Sequence, residues 1–265
     1  MLEQANGNMQ AILNIRVLCF FVLTLCISIG CSEGDPSAEA NGHPVTIVRP
    51  VVFASETFKG PITKEQTERL MNLKVSLGGD NDPEEYFFLT DKNGKRISTT
   101  TSTEYLEAKN KGAISNTTAD ISMASWFRQV AGTLKFVRES NPSKQSQWTD
   151  DILETLPVTL LNWVGSEERE QHEKDAANGI NLKSYMEKGA IRKWQSNSNK
   201  LSFSHNGVAY NIEILAKGDH ENDGNEDWLV MASYHYEGGS GRGYHLYVIS
   251  KTGRNAVRQV DFYIR

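Results

Sequence analysis

The apolar residues of this chain keep two different periods, and the change near Lys200 limits the folds open to it. Met123, Phe127, Val130, Leu134 and Val137 recur at i, i+4, i+7, i+11 and i+14, which places them on one face of a helix. Asp120 stands where an N-cap is wanted, and Asn141-Pro142 closes the segment. Beyond Lys200 the spacing falls to two. Leu201–Phe203, Val208–Ile214, Trp228–Tyr236, Tyr244–Ile249 and Val257–Ile264 read as five strands. Asn206-Gly207 supplies the positive φ of a two-residue hairpin between the first two, and the short connections favour an antiparallel meander. The expected fold class is therefore α+β, with a helical middle region packed on a C-terminal antiparallel sheet.

The remaining segments fit around that division. Val45 to Phe53 is β-rich but interrupted by Pro50, so an edge strand is expected. Thr63 opens a short helix that runs to Leu73. Tyr86 to Ile97 reads as a hairpin turning at Asp91–Gly94, and the acidic residues 80–85 before it as a solvated turn. Ile152 to Trp163 suggests a second helix of the middle region, ending at Gly165 with Pro157 as a kink or break. Ser166 to Asn178 and Asn181 to Lys188 give a third and a fourth, stopped by Gly179 and Gly189. The expected division is 45–195 for the α+β and helical region and 196–265 for the β region, with 45–265 open to being one domain.

The chain has 265 residues, 38% of them hydrophobic, which is enough apolar material for a sizeable core. Lys and Arg number 28 against 33 Asp and Glu, a net charge of −5, so there is no global electrostatic basis for binding nucleic acid. The three cysteines are Cys19, Cys26 and Cys31. The body after them can form no disulfide, thiol nucleophile or cysteine-ligated metal site. Residues 17–29 form an uncharged apolar run after Arg16, shorter than the roughly 20 residues that span a bilayer. Met9 offers a shorter start whose only side-chain charge is Arg16.

Gly30-Cys31-Ser32, followed by Glu33-Gly34-Asp35-Pro36-Ser37, resembles the lipobox of bacterial lipoproteins. The resemblance implies that residues 1–30 are a removed signal peptide, that Cys31 is acylated by palmitate-class chains, and that 31–44 is a flexible tether. It also implies the membrane as a partner and a place in the bacterial cell envelope, on the periplasmic side or the cell surface. An ordinary cleaved signal peptide or an uncleaved anchor fits the same apolar run.

One motif carries metal chemistry. In Asp219-His-Glu221-Asn-Asp223-Gly224-Asn225-Glu-Asp227, oxygen side chains fall at loop positions 1, 3, 5 and 9, with glycine at 6. Calcium takes six to eight oxygens, and alternate residues of a tight loop point inward. Position 12 is Val230 and the flanks read as strands, so the loop is not an EF-hand. With Leu-Ala-Lys-Gly before it and Trp-Leu-Val after it, the segment resembles the FG-GAP/VCBS-type repeats of integrins and bacterial surface proteins. The resemblance covers roughly 35 residues in a single copy and does not extend to a propeller. It implies Ca2+ as a cofactor, with Asp219, Glu221, Asp223 and Asp227 as side-chain ligands and Asn225 as a main-chain ligand. An acidic, glycine-containing surface loop accounts for the same residues, at the cost of repulsion among four carboxylates.

Other constellations are weaker. If Tyr236 pairs with Tyr244, His235 falls opposite His245, and two histidines with a nearby carboxylate suit a transition metal, but ordinary cross-strand packing is the better account of the pair. Glu237 to Gly243 is glycine-rich but lacks the Lys-Ser/Thr and following helix of a phosphate loop. It reads as a mobile hairpin tip and a ligand rim beside Tyr234, Tyr236 and Tyr244. Neither HExxH nor GxSxG occurs, and Asp150, Asp151 and Glu154 read as acids answering a helix dipole, so no catalytic residue is assigned. The expected function is a lipid-anchored envelope protein, a non-catalytic binding or accessory protein with an envelope protein or glycan partner. The alternative is an envelope hydrolase acting on polysaccharide or peptidoglycan through carboxylates.

Overall fold

A computed structural model describes residues 42–76, 87–146, 148–149, 151–163, 165–252 and 256–262. The signal-like run, Cys31, most of the tether, residues 80–85 and Asp150 lie outside the described residues. The chain enters through strands β1 (Thr46–Val52) and β2 (Thr57–Pro61), then helix α1 (Lys64–Met71). Thr63 caps α1 reciprocally: its hydroxyl accepts from Gln66 N at 3.2 Å, and the Gln66 side chain accepts from Thr63 N at 2.9 Å. Strands β3 (Phe88–Thr90) and β4 (Arg96–Ser98) form the small hairpin expected there. Asp91 Oδ1 accepts from Asn93 N and Lys95 N across its turn, at 2.8 Å each.

Helix α2 (Ser102–Asn110) has the same kind of cap, built by Thr101 and Glu104, and buries Tyr105, Leu106 and Ala108. Its apolar stripe is too short to stand out from the surrounding polar residues. Helix α3 (Thr118–Glu139) is the long amphipathic one and starts two residues before Asp120. The expected helix from Ile152 to Gly165 is not formed. Two 3₁₀ turns, Ile152–Thr155 and Val158–Leu160, flank Pro157, whose ψ of 146° and that of Leu156, 148°, are extended. Proline lacks the N–H for the ladder and disfavours helical geometry in the residue before it. Helices α4 (Ser166–Ala177) and α5 (Leu182–Glu187) follow as expected, the second capped by Asn181.

Strands β5 (Arg192–Asn197), β6 (Lys200–His205), β7 (Val208–Gly218), β8 (Asp227–Tyr236), β9 (Arg242–Thr252) and β10 (Ala256–Asp261) complete the chain. All eight strands of the main sheet pair antiparallel, in the order β10-β9-β8-β7-β1-β2, with β6 and then β5 branching from β7. The branch follows from the length of β7. Residues Val208–Glu213 pair with β6, the register shifts between Ile214 and Ala216 against β8, and Ala216 and Lys217 then pair with β1. β1 is thus flanked on both sides and is not an edge strand. Pro50 is accommodated because β1 meets β7 only through Thr46 and Ile47, and its register to β2 breaks between Ile47 and Val51. The N-terminal and C-terminal strands share one sheet, and Asn41–Arg265 form one compact unit.

Each face of the sheet has its own apolar layer. One joins Ile47, Leu215, Leu229, Met231 and Val248 to α1, α2 and α3, with Phe87, Tyr105 and Phe127 clustered at centroid distances of 4.6 to 6.3 Å. The other joins Phe203, Tyr210, Ile212, Trp228 and Ile249 to the 3₁₀ turns and α5. The α+β architecture with a C-terminal antiparallel sheet is therefore the one observed, enlarged by β1 and β2.

Candidate functional site

The loop expected to bind calcium closes the β7–β8 hairpin, where Gly218 pairs with Asp227. Two buried carboxylates shape it. Asp219 is 5% exposed and accepts from Asp223 N at 3.0 Å and Gly224 N at 2.8 Å. Asp227 is 1% exposed and accepts from His220 N at 2.8 Å and Glu221 N at 3.0 Å. Asp223 Oδ1 accepts from Asn225 N at 2.8 Å, and Gly224 takes the positive φ of 87° that the sharp turn requires. The carboxylate of Glu221 is held by Arg258 on β10. The structure thus brings Asp219, Asp223, Asn225 and Asp227 into one turn organised by backbone amides, and commits Glu221 to an ion pair outside it.

The segment after α3 staples this loop to the body. Asn141 and Asp219 exchange both backbone hydrogen bonds, Lys144 N donates to Gly224 O, and Glu226 N donates to Gln145 O. Glu226 is buried and receives Ser146 Oγ and Trp228 Nε1 on Oε1, while Trp148 Nε1 donates to its carbonyl. Burial pushes the Asp227 carboxyl above the usual carboxylate range. The nearby Ser250 hydroxyl and the hydrogen bonds from the Glu221 and His220 amides pull it back, and the charge of Glu221 raises it again.

The tyrosines of the expected ligand rim lie on both faces of the sheet. The register pairs Tyr234 with Gly243, Ser233 with Tyr244 and Ala232 with His245. Opposed residues share a face, so Tyr234 and Tyr236 point to one side and Tyr244 to the other. The same register pairs His235 with Arg242 and separates it from His245, which corrects the proposed histidine pair. The β8–β9 turn is tighter than a Tyr236–Tyr244 pairing requires, and the difference of three residues also changes which face each side chain occupies.

At this hairpin lies a cleft of about 910 Å³ between the β8–β9 turn and α3. Tyr234, Tyr244, His235, Arg242 and Gly239 to Gly243 line one wall, and Trp126, Gln129, Ser125 and Ile121 the other, with Asn211 and Ser233 beneath. Tyr236 is not among its lining residues. Its hydroxyl accepts from Asn162 Nδ2 at 2.7 Å. Tyr244 donates to Ser125 O at 2.7 Å, and burial raises its pKa, so it stays a neutral hydrogen-bonded wall. Trp126 keeps 38% of its surface exposed at the cleft. Sequence reasoning did not single it out, because Trp126 falls off the buried stripe of α3 and only the neighbouring hairpin gives its exposed position a meaning.

A second cleft, of about 520 Å³, runs between α4 and strands β9 and β10. Arg128, Trp163, Arg169, His172, Glu173, His245 and Asp261 are among its walls. Arg169 pairs with Glu173 at 2.8 Å and lies over the Trp163 ring. Burial holds the His172 imidazole below the ordinary histidine range, with Glu168 opposing and His205 reinforcing that shift. No protein-family model, curated protein or solved structure matches this chain.

Proposed function

We propose that this chain is a lipid-anchored protein of the bacterial envelope that binds a glycan or peptide ligand in the β8–β9 cleft and does not transform it. One observation carries the reading: the 910 Å³ cleft is lined by the exposed Trp126 of α3 and by Tyr244 on the sheet face that packs against α3, together with the amides of Gln129 and Asn211 and the guanidinium of Arg242. Flat rings offer contact area with little rotamer entropy to lose, and the amides and arginine hydrogen-bond polar ligand groups, a combination suited to holding sugar rings. Carbohydrate or peptide fragments of envelope polymers are therefore the ligand class. Acylation of Cys31 would hold the body at the membrane on the 31–44 tether. Calcium, coordinated by Asp219, Asp223, Asp227 and the Asn225 carbonyl, would brace the β7–β8 loop, with Glu221 joining only by leaving Arg258.

The hydrolase reading would have to draw on the smaller cleft, where Glu173 is committed to Arg169 at 2.8 Å. The test is a titration of the protein with soluble peptidoglycan and polysaccharide fragments, followed by tryptophan fluorescence and calorimetry. Binding is expected, with affinity reduced at least tenfold in Trp126→Ala at an unchanged melting temperature. Saturable binding that Trp126→Ala and Arg242→Ala both leave intact would refute the assignment of the cleft.

A further inference from the structure

The sequence invites a search for a transition-metal site at His235 and His245, which the register keeps apart. A different pair is brought together. Glu168 and His172 stand four residues apart on α4 and therefore share one face of it. His205 is the last residue of β6, directly before the Asn206-Gly207 hairpin, on the side of the sheet that α4 and α5 cover. One ligand atom from each of Glu168, His172 and His205 lies within 4.8 Å of the other two. Among the described residues no other set of three histidine, cysteine or carboxylate groups meets this condition. We infer that Glu168, His172 and His205 form a binding site for a divalent transition metal of the zinc class.

The surroundings are those of a metal site. His205 Nδ1 lies 2.8 Å from Ala190 O. A carbonyl only accepts, so Nδ1 carries the proton and Nε2 carries the lone pair, the orientation that a backbone partner imposes on metal-ligating histidines. His172 is 4% exposed, and its Nδ1 is buried without a hydrogen-bond partner. A buried ring nitrogen with nothing to bond is rare in a folded protein, and a cation would satisfy the site. Asn206 Nδ2 donates to Glu168 Oε1 at 3.0 Å and orients the carboxylate from the hairpin side. Tyr185 packs against both imidazoles, at centroid distances of 6.2 Å to His172 and 5.4 Å to His205. It is held in turn by its hydroxyl donating to Asp175 at 2.8 Å.

Two imidazole nitrogens and one carboxylate oxygen are the donor set that zinc accepts at three of four tetrahedral positions. Ligand atoms about such an ion stand about 3.3 to 3.6 Å apart, so closing the site asks for side-chain movements of about 1.5 Å or less. Nitrogen donors separate this site from the all-oxygen β7–β8 loop and select against calcium. The fourth position is left to water or to a donor from the 520 Å³ cleft, with which the site shares His172.

The test uses the full chain stripped with a chelator and titrated with Zn2+ by calorimetry, and with Co2+ by visible absorption. One equivalent of Zn2+ is expected to bind with micromolar or tighter affinity, and Co2+ to develop a tetrahedral ligand-field spectrum. Glu168→Gln, at a half-buried position that tolerates the change, should weaken binding at least tenfold. His205→Gln should do the same, and His172→Gln should abolish binding, while Asp223→Ala leaves it unchanged. The inference is overturned if the chain takes up no Zn2+ at millimolar concentration. It is equally overturned if Glu168→Gln and His205→Gln, folded by circular dichroism, bind as tightly as the parent.

Discussion

Replacing Asp219 measures how much of the β7–β8 loop is held by its own backbone. Its carboxylate is 5% exposed and accepts two amide hydrogen bonds, from Asp223 at 3.0 Å and Gly224 at 2.8 Å. A hydrogen bond to a charged group contributes about 1.5 to 3 kcal/mol, so the pair supplies about 3 to 6 kcal/mol. Asp223 is exposed and Gly224 half-buried, so water re-solvates the abandoned amides in part. The expected loss for Asp219→Ala is therefore at the lower end, about 3 kcal/mol. For a body of this size that corresponds to a melting temperature lower by about 6 to 12 °C. Asp219→Asn keeps one acceptor oxygen and turns a donor toward the second amide, so it should lose about half as much. Urea denaturation in a chelator reads both, using the fluorescence of Trp148 and Trp228, whose rings lie 4.5 Å apart beside Glu226. A loss under about 1 kcal/mol for Asp219→Ala, or equal losses for the two variants, would contradict the reasoning. Repeated in calcium, the same experiment tests the metal proposal. The parent should gain about 2.7 kcal/mol at a calcium concentration 100 times Kd, and Asp223→Ala should abolish the gain. A melting temperature that millimolar calcium leaves unmoved would remove calcium from the loop.

Two further perturbations test the packing and the caps. Gly218→Ala places a Cβ 2.9 Å from Ser140 Cβ and 3.3 Å from the methyls of Val45, so it should cost about 1 to 3 kcal/mol in urea denaturation; a neutral result would mean that α3 and β7 are less tightly held than the contacts require. Thr101→Ala should cost about 1 kcal/mol by removing the α2 cap. Partial burial pushes the Glu104 carboxyl up, but the amides and hydroxyls of Thr100 and Thr101 outweigh it and hold the pKa below the ordinary value. Its stabilising contribution is then complete above the unfolded pKa of about 4.3 and is lost as pH falls through the lower folded value. Stability of Glu104→Gln, followed from pH 6 to 3, should fall less steeply than that of the parent; an identical slope would refute this assignment.

Elements whose signal is local were legible in the residues alone. The stripe from Met123 to Val137 and the Pro142 stop define α3 to within two residues of its N-terminus, because a helix is specified by neighbours three and four apart. Asn206-Gly207 define the β6–β7 turn, with φ values of 49° and 72°, because few residue pairs accept that geometry. The loop from Asp219 to Asp227 stood out by its alternating oxygens. Misreadings arose where a local rule met a distant partner. Pro50 argued for an edge, yet β1 is flanked by β2 and β7, because a register break removes the hydrogen bond that proline cannot make. Strand β5 is exposed along its whole length and shows no alternation to read; it exists because β6 offers it an edge.

The residues by themselves determined the α+β class, the order of the long helix and the five C-terminal strands, and the turn chemistry of the acidic loop. All of these depend on periodicity and on φ preferences spanning a few residues. Tertiary structure alone decided that β1 joins β7, that Tyr234 and Tyr244 face opposite sides of the sheet, and that Trp126 stands across a cleft from the β8–β9 hairpin. It also decided that His172 meets His205 and not that His235 meets His245. The physical reason is the same each time. Strand register is fixed by the sum of side-chain packing across the sheet, and a shift of one residue reverses every side chain, so what lies opposite what is a property of the whole core.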